Sequence, residues 1–249
     1  MREVSVRFGG VVALDELSFS IDEHEICGLI GPNGAGKTTL FNVVSRIYQP
    51  NSGLVMFDDD NLLDVDAHEI ARHGVARTFQ NLALFPRLTV LENVMVGAHS
   101  RCSVNFLTAP FRFGVREEER RLTQDAMNIL SYLGLAALAL RPAAGLPFGT
   151  LKRIEIARAM AAQPRLLLLD EPASGLTHAE VDELGDTIRG LRDQFGLTVL
   201  LVEHHMQLVM GISDRVVVLD FGRKIAEGSP GQIKNDQRVI EAYLGTKAT

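Results

Sequence analysis

Residues 31–38 read Gly-Pro-Asn-Gly-Ala-Gly-Lys-Thr, which fits the phosphate-loop pattern G-x-x-x-x-G-K-[ST] at every fixed position. Glycines let backbone N–H groups turn toward phosphate oxygens without a Cβ in the way. Lys37 is then expected to reach the β- and γ-phosphates, and Thr38 to join the shell of a Mg²⁺ ion. The octet therefore predicts a site for a nucleoside triphosphate with Mg²⁺.

The flanks of the octet fit the same interpretation. Ile26–Ile30 is a short apolar run that predicts a buried strand entering the loop. Residues 39–48 place Leu40, Val43, Val44 and Ile47 at helical spacing, which predicts a helix leaving it. The positive end of such a helix would point at the bound phosphates.

Composition narrows the class of protein. The chain has 249 residues, of which 46% are hydrophobic and 22% charged, enough for one domain with a subdomain. The net charge of −6 argues against a broad nucleic-acid surface. We find no run of 18 apolar residues and no secretory leader, so we expect neither a membrane span nor secretion. Cys27 and Cys102 form no disulfide framework, and Cys27 is predicted to be a core residue.

Apolar runs recur along the chain and predict an α/β fold. Residues 166–169, 199–202 and 216–219 are apolar throughout rather than alternating, which is typical of parallel strands covered on both faces. An amphipathic helix is predicted over 180–192. Residues 4–21 and 53–58 resemble shorter strands of an antiparallel piece.

The middle of the chain, about 81–160, has a mostly helical pattern. Thr89 and Glu92 form a capping box that opens one helix, and apolar residues over 126–133 indicate another. The charged run at 117–121 is interpreted as a solvated helix face, with contact to a partner as the alternative.

A second pattern supports the nucleotide site. Four leucines at 166–169 end in Asp170 and Glu171. Downstream of a phosphate loop, a buried strand of this kind would deliver Asp170 to the Mg²⁺ ion, directly or through water. Glu171, one step further on, is placed to orient and deprotonate an attacking water.

With these motifs in this order, the chain resembles the ATP-binding subunits of ABC transporters over nearly its whole length. The resemblance implies that Phe8 stacks on adenine, with a strand-core phenylalanine as the alternative, and that His204 senses the γ-phosphate. It also implies that Gln80 contacts Mg²⁺ and that the loop Ser-Gly-Leu-Thr ending at Thr177 lies at a dimer interface. The implied nucleotide contacts are Phe8, Gly31, Pro32, Asn33, Gly34, Ala35, Gly36, Lys37, Thr38, Thr39, Gln80, Leu146, Pro147, Phe148 and Gly149. The implied metal ligands are Thr38, Gln80 and Asp170. The implied catalytic residues are Lys37, Glu171 and His204.

The resemblance also implies an architecture and an assembly. A single domain would contain a nucleotide-binding core, about 1–80 and 161–249, and a helical subdomain, about 81–160. Two ATPase subunits would enclose two ATP molecules head to tail, each site joining one chain's phosphate loop to the other's signature. Two membrane subunits would dock after Gln80, where Leu82, Leu84, Phe85 and Pro86 form an apolar patch; subdomain core is the alternative for that patch.

Within the superfamily the chain is most similar to the ATPases of branched-chain amino-acid importers. Stretches that carry this likeness include Arg-Thr-Phe-Gln-Asn at 77–81, Glu-His-His-Met at 203–206 and Val-Ile-Glu-Ala-Tyr-Leu-Gly at 239–245. It implies a peripheral protein on the cytoplasmic face of the inner membrane, served indirectly by an extracytoplasmic solute-binding protein, and no nucleic-acid partner. The alternatives are an importer of urea or amides, a non-transport ATPase of translation or DNA repair, and, disfavoured by Glu171, a regulator without turnover.

The signature departs from the family's Leu-Ser-Gly-Gly-Gln. Residues 146–150 read Leu-Pro-Phe-Gly-Thr, so Pro147 replaces the serine whose hydroxyl would bond the γ-phosphate in the opposite subunit's site. Proline suits a helix start, so the helix through 153–160 should survive while one hydrogen bond is lost. We therefore hypothesise a weaker composite site, and Pro147 favours a heterodimer with a second ATPase, with a homodimer as the alternative. Thr177 replaces the usual aspartate but keeps a capping box with Glu180, and His205 stands where the subfamily often has aspartate.

Overall fold

The computed structural model describes residues 1–78, 82–101 and 115–244. Gln80 and Cys102 therefore lie outside the described residues. The strands in chain order are β1 Arg2–Phe8, β2 Val11–Leu17, β3 Ile26–Ile30, β4 Ser52–Leu54, β5 Met56–Phe57, β6 Asp60–Asn61, β7 Val75–Arg77, β8 Leu166–Asp170, β9 Thr198–Val202, β10 Arg215–Asp220 and β11 Arg223–Gly228.

The main sheet has six strands in the order β11-β10-β3-β9-β8-β7. The five strands from β10 to β7 run parallel, and only the edge strand β11 is antiparallel to its neighbour. This confirms the predicted, largely parallel sheet. Since β3 lies between β10 and β9, the loops that follow β3 and β9 leave the same edge of the sheet side by side.

Both faces of the sheet are buried, which explains the uninterrupted apolar runs. In β3, Ile26 and Ile30 join one hydrophobic core, whereas Cys27 and Leu29 join the other. β8, β9 and β10 divide their side chains between the two cores in the same alternating way. Cys27 is fully buried, as predicted, and burial raises the pKa of its thiol to about 12.

The predicted antiparallel piece is present, with one difference. β2, β1 and β4 form a three-stranded antiparallel sheet over one face of the main sheet. The predicted strand over 53–58 is divided, because β4 ends at Leu54 and β5 pairs with β6 in a separate two-stranded ribbon.

The helices are α1 Lys37–Val44, α2 Val90–Gly97, α3 Val115–Tyr132, α4 Phe148–Met160, α5 His178–Phe195, α6 Met206–Ile212, α7 Pro230–Lys234 and α8 Gln237–Leu244. α5 contains the amphipathic pattern predicted over 180–192, with Val181, Leu184, Ile188 and Leu191 buried. No helix among the described residues is long and apolar enough to cross a lipid bilayer.

The helix after the phosphate loop is shorter than predicted. α1 ends at Val44, and Ile47, which we expected on its buried face, is 55% exposed. The reason is Arg46, whose φ of 60° turns the chain out of the helix. The Arg46 N–H bonds Val43 O and the Ile47 N–H bonds Asn42 O, which is the Schellman arrangement of a helix end.

In the described part of the chain between β7 and β8, the α-helices α2, α3 and α4 pack on one another. α2 contacts both α3 and α4, and α3 contacts α4. The predicted capping box at Thr89 and Glu92 is present, and the helix predicted over 126–133 is the end of α3. α4 begins at Phe148, immediately after Pro147, so the proline does precede a helix as expected. Of the charged run, Glu117, Glu119, Arg120 and Arg121 are exposed.

Candidate nucleotide-binding site

The phosphate loop connects β3 to α1 in a conformation that requires glycine at position 36. Gly36 has a φ of 101°, and a Cβ there would lie 2.5 Å from Ala13 O. Gly34 also has a positive φ, of 82°, but its Cβ would meet open space. The loop is therefore shaped by its backbone, and the first amides of α1 are directed toward it.

Lys37 is folded back onto the loop. Its Nζ donates hydrogen bonds to Gly31 O at 2.6 Å and to Pro32 O at 2.9 Å. The residue is 6% exposed. Burial lowers the pKa of Lys37, and the nearby charge of Glu171 acts in the opposite direction. The sequence prediction that Lys37 serves the phosphate site is consistent with this position.

A cleft of about 230 Å³ lies over the loop. Besides the loop itself, Glu171 and His204 face it from the ends of two other strands. The lining residues are Val11, Val12, Ala13, Asn33, Gly34, Ala35, Gly36, Lys37, Thr38, Thr39, Glu171 and His204. The fold thus brings the predicted Thr38, Thr39, Glu171 and His204 into one cavity with Lys37.

Glu171 and His204 are directly bonded. His204 Nε2 lies 2.8 Å from Glu171 Oε1. The His204 side chain is 44% exposed and the Glu171 side chain 18% exposed. Glu171 has a φ of 48°, a conformation that non-glycine residues seldom adopt. Its N–H is bonded to Val202 O at 2.9 Å, so the neighbouring strand holds this backbone in place. Such strain is frequently located at functional sites.

Asp170 ends β8 and is 4% exposed. Its Oδ2 accepts a hydrogen bond of 2.8 Å from Arg77 Nη2, and its N–H donates to Thr78 Oγ1 at 3.2 Å. Arg77 also donates to Asn42 Oδ1 of α1 and to Ser45 Oγ, just after the end of that helix. Sequence reasoning assigned Arg77 no role, since a lone arginine at the end of a short strand carries no distinctive signal.

Glu203 is a second residue that sequence reasoning missed. It is 3% exposed, and its carboxylate accepts three backbone hydrogen bonds. Oε1 accepts from Ala173 N at 2.6 Å, and Oε2 accepts from His204 N at 2.9 Å and from His205 N at 3.1 Å. A signal was available, because Glu203 follows a buried apolar strand just as Asp170 ends one.

The predicted adenine contact, Phe8, lies at the end of β1. It is 47% exposed rather than in the strand core, and its ring packs edge-on against Tyr48 with centroids 5.1 Å apart. It is not among the residues that line the cleft, where Val11 and Val12 of β2 lie instead.

The signature residues lie elsewhere on the chain. The signature spans the start of α4: Leu146 and Pro147 precede the helix, and Phe148 and Gly149 are its first two residues. None of the four lines the cleft over the phosphate loop. A Cβ on Gly149 would lie 2.5 Å from Glu180 Oε1, and one on Gly175 would lie 2.9 Å from the Phe148 ring. The predicted interface loop and the signature are therefore packed together. The Thr177–Glu180 capping box is present, as predicted.

The chain's last described helix also contacts the phosphate loop. Burial raises the pKa of Tyr243 in α8, and the nearby backbone of Gly31 acts against the rise. The Gly31 carbonyl accepts a hydrogen bond from Lys37 Nζ.

Comparison with known families gives two matches. Residues 14–174 match the family described as ABC transporter, and residues 223–249 match the family described as Branched-chain amino acid ATP-binding cassette transporter. The first match covers more than half of the chain and includes the phosphate loop, Asp170 and Glu171.

Curated relatives match over almost the full length. The chain is 44% identical to the high-affinity branched-chain amino acid transport ATP-binding protein BraF of Pseudomonas aeruginosa, over 97% of this chain and 95% of that protein. It is 42% identical to the corresponding protein LivG of Escherichia coli, over 96% of this chain and 94% of that protein.

Solved structures agree in fold. An ATP-binding cassette of an ABC transporter in its ADP conformation superimposes with a TM-score of 0.86 at 30% identity, over 98% of this chain and 97% of that one. A dimeric ATP-binding cassette in a post-hydrolysis state, bound to ADP and phosphate, superimposes with a TM-score of 0.74 at 25% identity, over 92% and 97% of the two chains.

Proposed function

The chain belongs to the ATP-binding subunits of ABC transporters, which hydrolyse ATP to power transport, and we propose that it energises the uptake of branched-chain amino acids. The observation that carries the solute class is the pair of relatives, 44% and 42% identical over nearly the whole chain, that are both named for this transport. The match of residues 223–249 to the branched-chain family adds support from a separate part of the chain.

In this proposal the cleft over the phosphate loop holds ATP. The backbone of residues 33–39 and the Lys37 ammonium contact its phosphates. Phe8, half-exposed beside Tyr48, offers a ring on which adenine stacks.

The oxygen donors at the site suit Mg²⁺. The Asp170 carboxylate and the Thr38 hydroxyl are hard ligands of the kind that Mg²⁺ uses beside substrate phosphates. We propose that they hold the ion together with Gln80, which lies outside the described residues. When bound, the ion would neutralise charge on the β- and γ-phosphates.

Glu171 is proposed as the residue that positions and deprotonates water. As the water oxygen bonds to the γ-phosphorus, its proton passes to the Glu171 carboxylate and the bond to ADP breaks, leaving ADP and phosphate. His204, 2.8 Å from that carboxylate, would orient it and report on the γ-phosphate. The transition state is loose, so positioning and charge stabilisation supply most of the catalysis.

The separation of signature and cleft supports an assembly of two ATPase subunits. Leu146, Pro147, Phe148 and Gly149 would approach the phosphates of a partner's ATP through the N-terminus of α4. The division into a core at about 1–80 and 161–249 and a helical subdomain at about 81–160 is part of the same proposal.

We propose that the chain lies on the cytoplasmic face of the inner membrane and docks onto two permease subunits embedded in that membrane. Phe85 is 50% exposed and Pro86 is exposed, which supports docking there, whereas Leu84 packs against the core. A solute-binding protein on the other side of the membrane would act through the permeases, and no nucleic acid would take part.

The test is a pull-down of tagged Glu171→Gln chain from detergent-solubilised native membranes with Mg·ATP. The substitution should stall hydrolysis and hold the closed dimer, so two membrane proteins and a second ATPase should co-purify. Glu183→Gln, an exposed position on α5, is the matched control and should behave as wild type. Recovery of ribosomes or nucleic acid instead would contradict the transporter proposal. Recovery of urea-permease subunits would contradict the proposal that branched-chain amino acids are the transported solute.

A further inference from the structure

Two loops that carry the proposed chemistry leave neighbouring strands. β8 and β9 are paired in register from Leu166–Thr198 to Asp170–Val202. One further bond, from Glu171 N to Val202 O, extends the ladder by a step. Past that point Glu171 and His204 diverge on separate loops, yet their side chains meet at 2.8 Å.

The Glu203 carboxylate joins these loops where the ladder ends. One oxygen accepts from Ala173 N, two residues after Glu171, and the other accepts from the N–H groups of His204 and His205. The three distances are 2.6, 2.9 and 3.1 Å, typical of good hydrogen bonds to a charged acceptor. The residue is 3% exposed, so water does not compete freely for these bonds.

We propose that Glu203 is a positioning residue for ATP hydrolysis, which sets the Glu171–His204 pair by fixing both loops to one carboxylate. The inference rests on the proposed roles of Glu171 and His204. Glu203 does not line the cleft, and its hydrogen bonds go to the backbone N–H groups of Ala173, His204 and His205 rather than to the phosphate loop. Its effect should therefore appear in turnover and leave ATP binding unchanged.

Only a carboxylate fits this position. Its two oxygens can accept all three N–H groups, whereas the amide of glutamine has a single oxygen acceptor and presents its NH₂ donors to the other loop. Two donors facing each other at about 3 Å repel, so one loop must separate from residue 203 in Glu203→Gln. The side chain is nearly the same size, so the change isolates the hydrogen bonds from packing.

The experiment measures ATP hydrolysis by the purified complex of the full-length chain with its partner ATPase and membrane subunits. For Glu203→Gln we expect kcat to fall by about 10- to 100-fold, the size of effect produced by misplacing a catalytic group by about 1 Å, with the KM for ATP within about twofold of wild type. In a His204→Ala background the same substitution should have a much smaller effect on kcat, because the pair that Glu203 positions is already broken.

Glu25→Gln is the matched control, since it neutralises a carboxylate that is also buried, at 9% exposure, but is bonded to Arg215 away from the cleft. It should lower the melting temperature and leave kcat unchanged. If Glu203→Gln does not fold, Glu203→Asp replaces it: the shorter acid keeps the charge but reaches one loop at a time, and the same loss of kcat at constant KM is expected.

Unchanged kcat in a folded Glu203 variant, or an equal loss with and without His204, would overturn the inference. So would a rise in KM that accounts for the whole loss. Each of these outcomes leaves the proposed function in place, because the wild-type complex would still hydrolyse ATP. A wild-type complex that does not hydrolyse ATP would instead contradict the proposed function.

Discussion

Replacing Arg77 with alanine tests how the buried carboxylate of Asp170 is kept in place. Arg77 Nη2 lies 2.8 Å from Asp170 Oδ2, and the two side chains are only 10% and 5% exposed. The same guanidinium donates to Asn42 of α1 and to Ser45, the residue after that helix. The substitution therefore removes the partner of a buried charge and a connection between β7 and the helix that follows the phosphate loop.

The magnitude follows from the burial of the pair. Opposite charges with centres about 4 Å apart attract by about 4 kcal/mol at an effective dielectric constant of about 20. Removing one member of a buried pair typically costs about 3–5 kcal/mol, because the remaining charge stays desolvated. For Arg77→Ala we expect the free energy of unfolding to fall by about 3–4 kcal/mol. The double variant with Arg77→Ala and Asp170→Asn should lose about 2 kcal/mol less unfolding free energy than the sum of the two single losses, because the two residues interact directly.

Urea denaturation followed by circular dichroism measures both values. Arg189→Ala is the control, since Arg189 pairs with Asp186 at 2.7 Å but the side chains are 44% and 76% exposed. We expect about 0–1 kcal/mol for that exposed pair. If Arg77→Ala loses no more than Arg189→Ala, or if the Arg77 and Asp170 substitutions add without coupling, the argument from burial is wrong.

Three further substitutions test other parts of the structure. Gly36→Ala should abolish binding of an ATP analogue, because its Cβ would lie 2.5 Å from Ala13 O at a φ of 101°; Gly34→Ala, with open space around its Cβ, should lose far less. Pro147→Ser should raise ATP turnover of the assembled complex about fivefold, since it restores one hydrogen bond worth about 1 kcal/mol. Glu25→Gln should lower the unfolding free energy by about 1–3 kcal/mol at neutral pH, because the bonds from Arg215 are lost.

The stability difference between wild type and Glu25→Gln has a defined pH dependence. Burial is the largest single influence and raises the pKa of Glu25, but the hydrogen bonds from Arg215, the hydrogen bond from the Asp22 N–H and the charge of Arg215 together outweigh it, so the pKa lies below its ordinary value of 4.5. A lowered pKa in the folded state stabilises the protein above the unfolded pKa, and this stability is lost as the pH falls through the folded pKa. The stability difference between wild type and Glu25→Gln should therefore shrink steadily in denaturation curves as the pH falls below 4.5.

Each of the three has a contrary result. Equal ATP-analogue binding by the Gly36 and Gly34 variants would show that the loop tolerates a Cβ near Ala13. Unchanged turnover after Pro147→Ser would rule out the weakened composite site. A stability difference for Glu25→Gln that stays constant as the pH falls below 4.5 would mean that packing, not charge, accounts for it.

Local sequence patterns predicted most of the elements. Continuous apolar runs indicated β3, β8, β9 and β10, and these strands are buried on both faces. Capping boxes indicated where α2 and α5 begin. The end of α1 was predicted wrongly, because periodicity continued to Ile47 while Arg46 adopted a left-handed conformation that nothing in its residue type indicates.

The site divides in the same way. The sequence alone determined the phosphate loop, Asp170 and Glu171, because glycine spacing and an acidic strand end are local features that the chemistry of phosphate and metal binding requires. Only the tertiary structure decided that Arg77 pairs with Asp170, 93 positions away, that Glu203 bonds Ala173, 30 positions away, and that His204 reaches Glu171. These contacts depend on which strands are neighbours in the sheet. Strand order is set by the packing of the whole chain, so no short stretch of sequence encodes it.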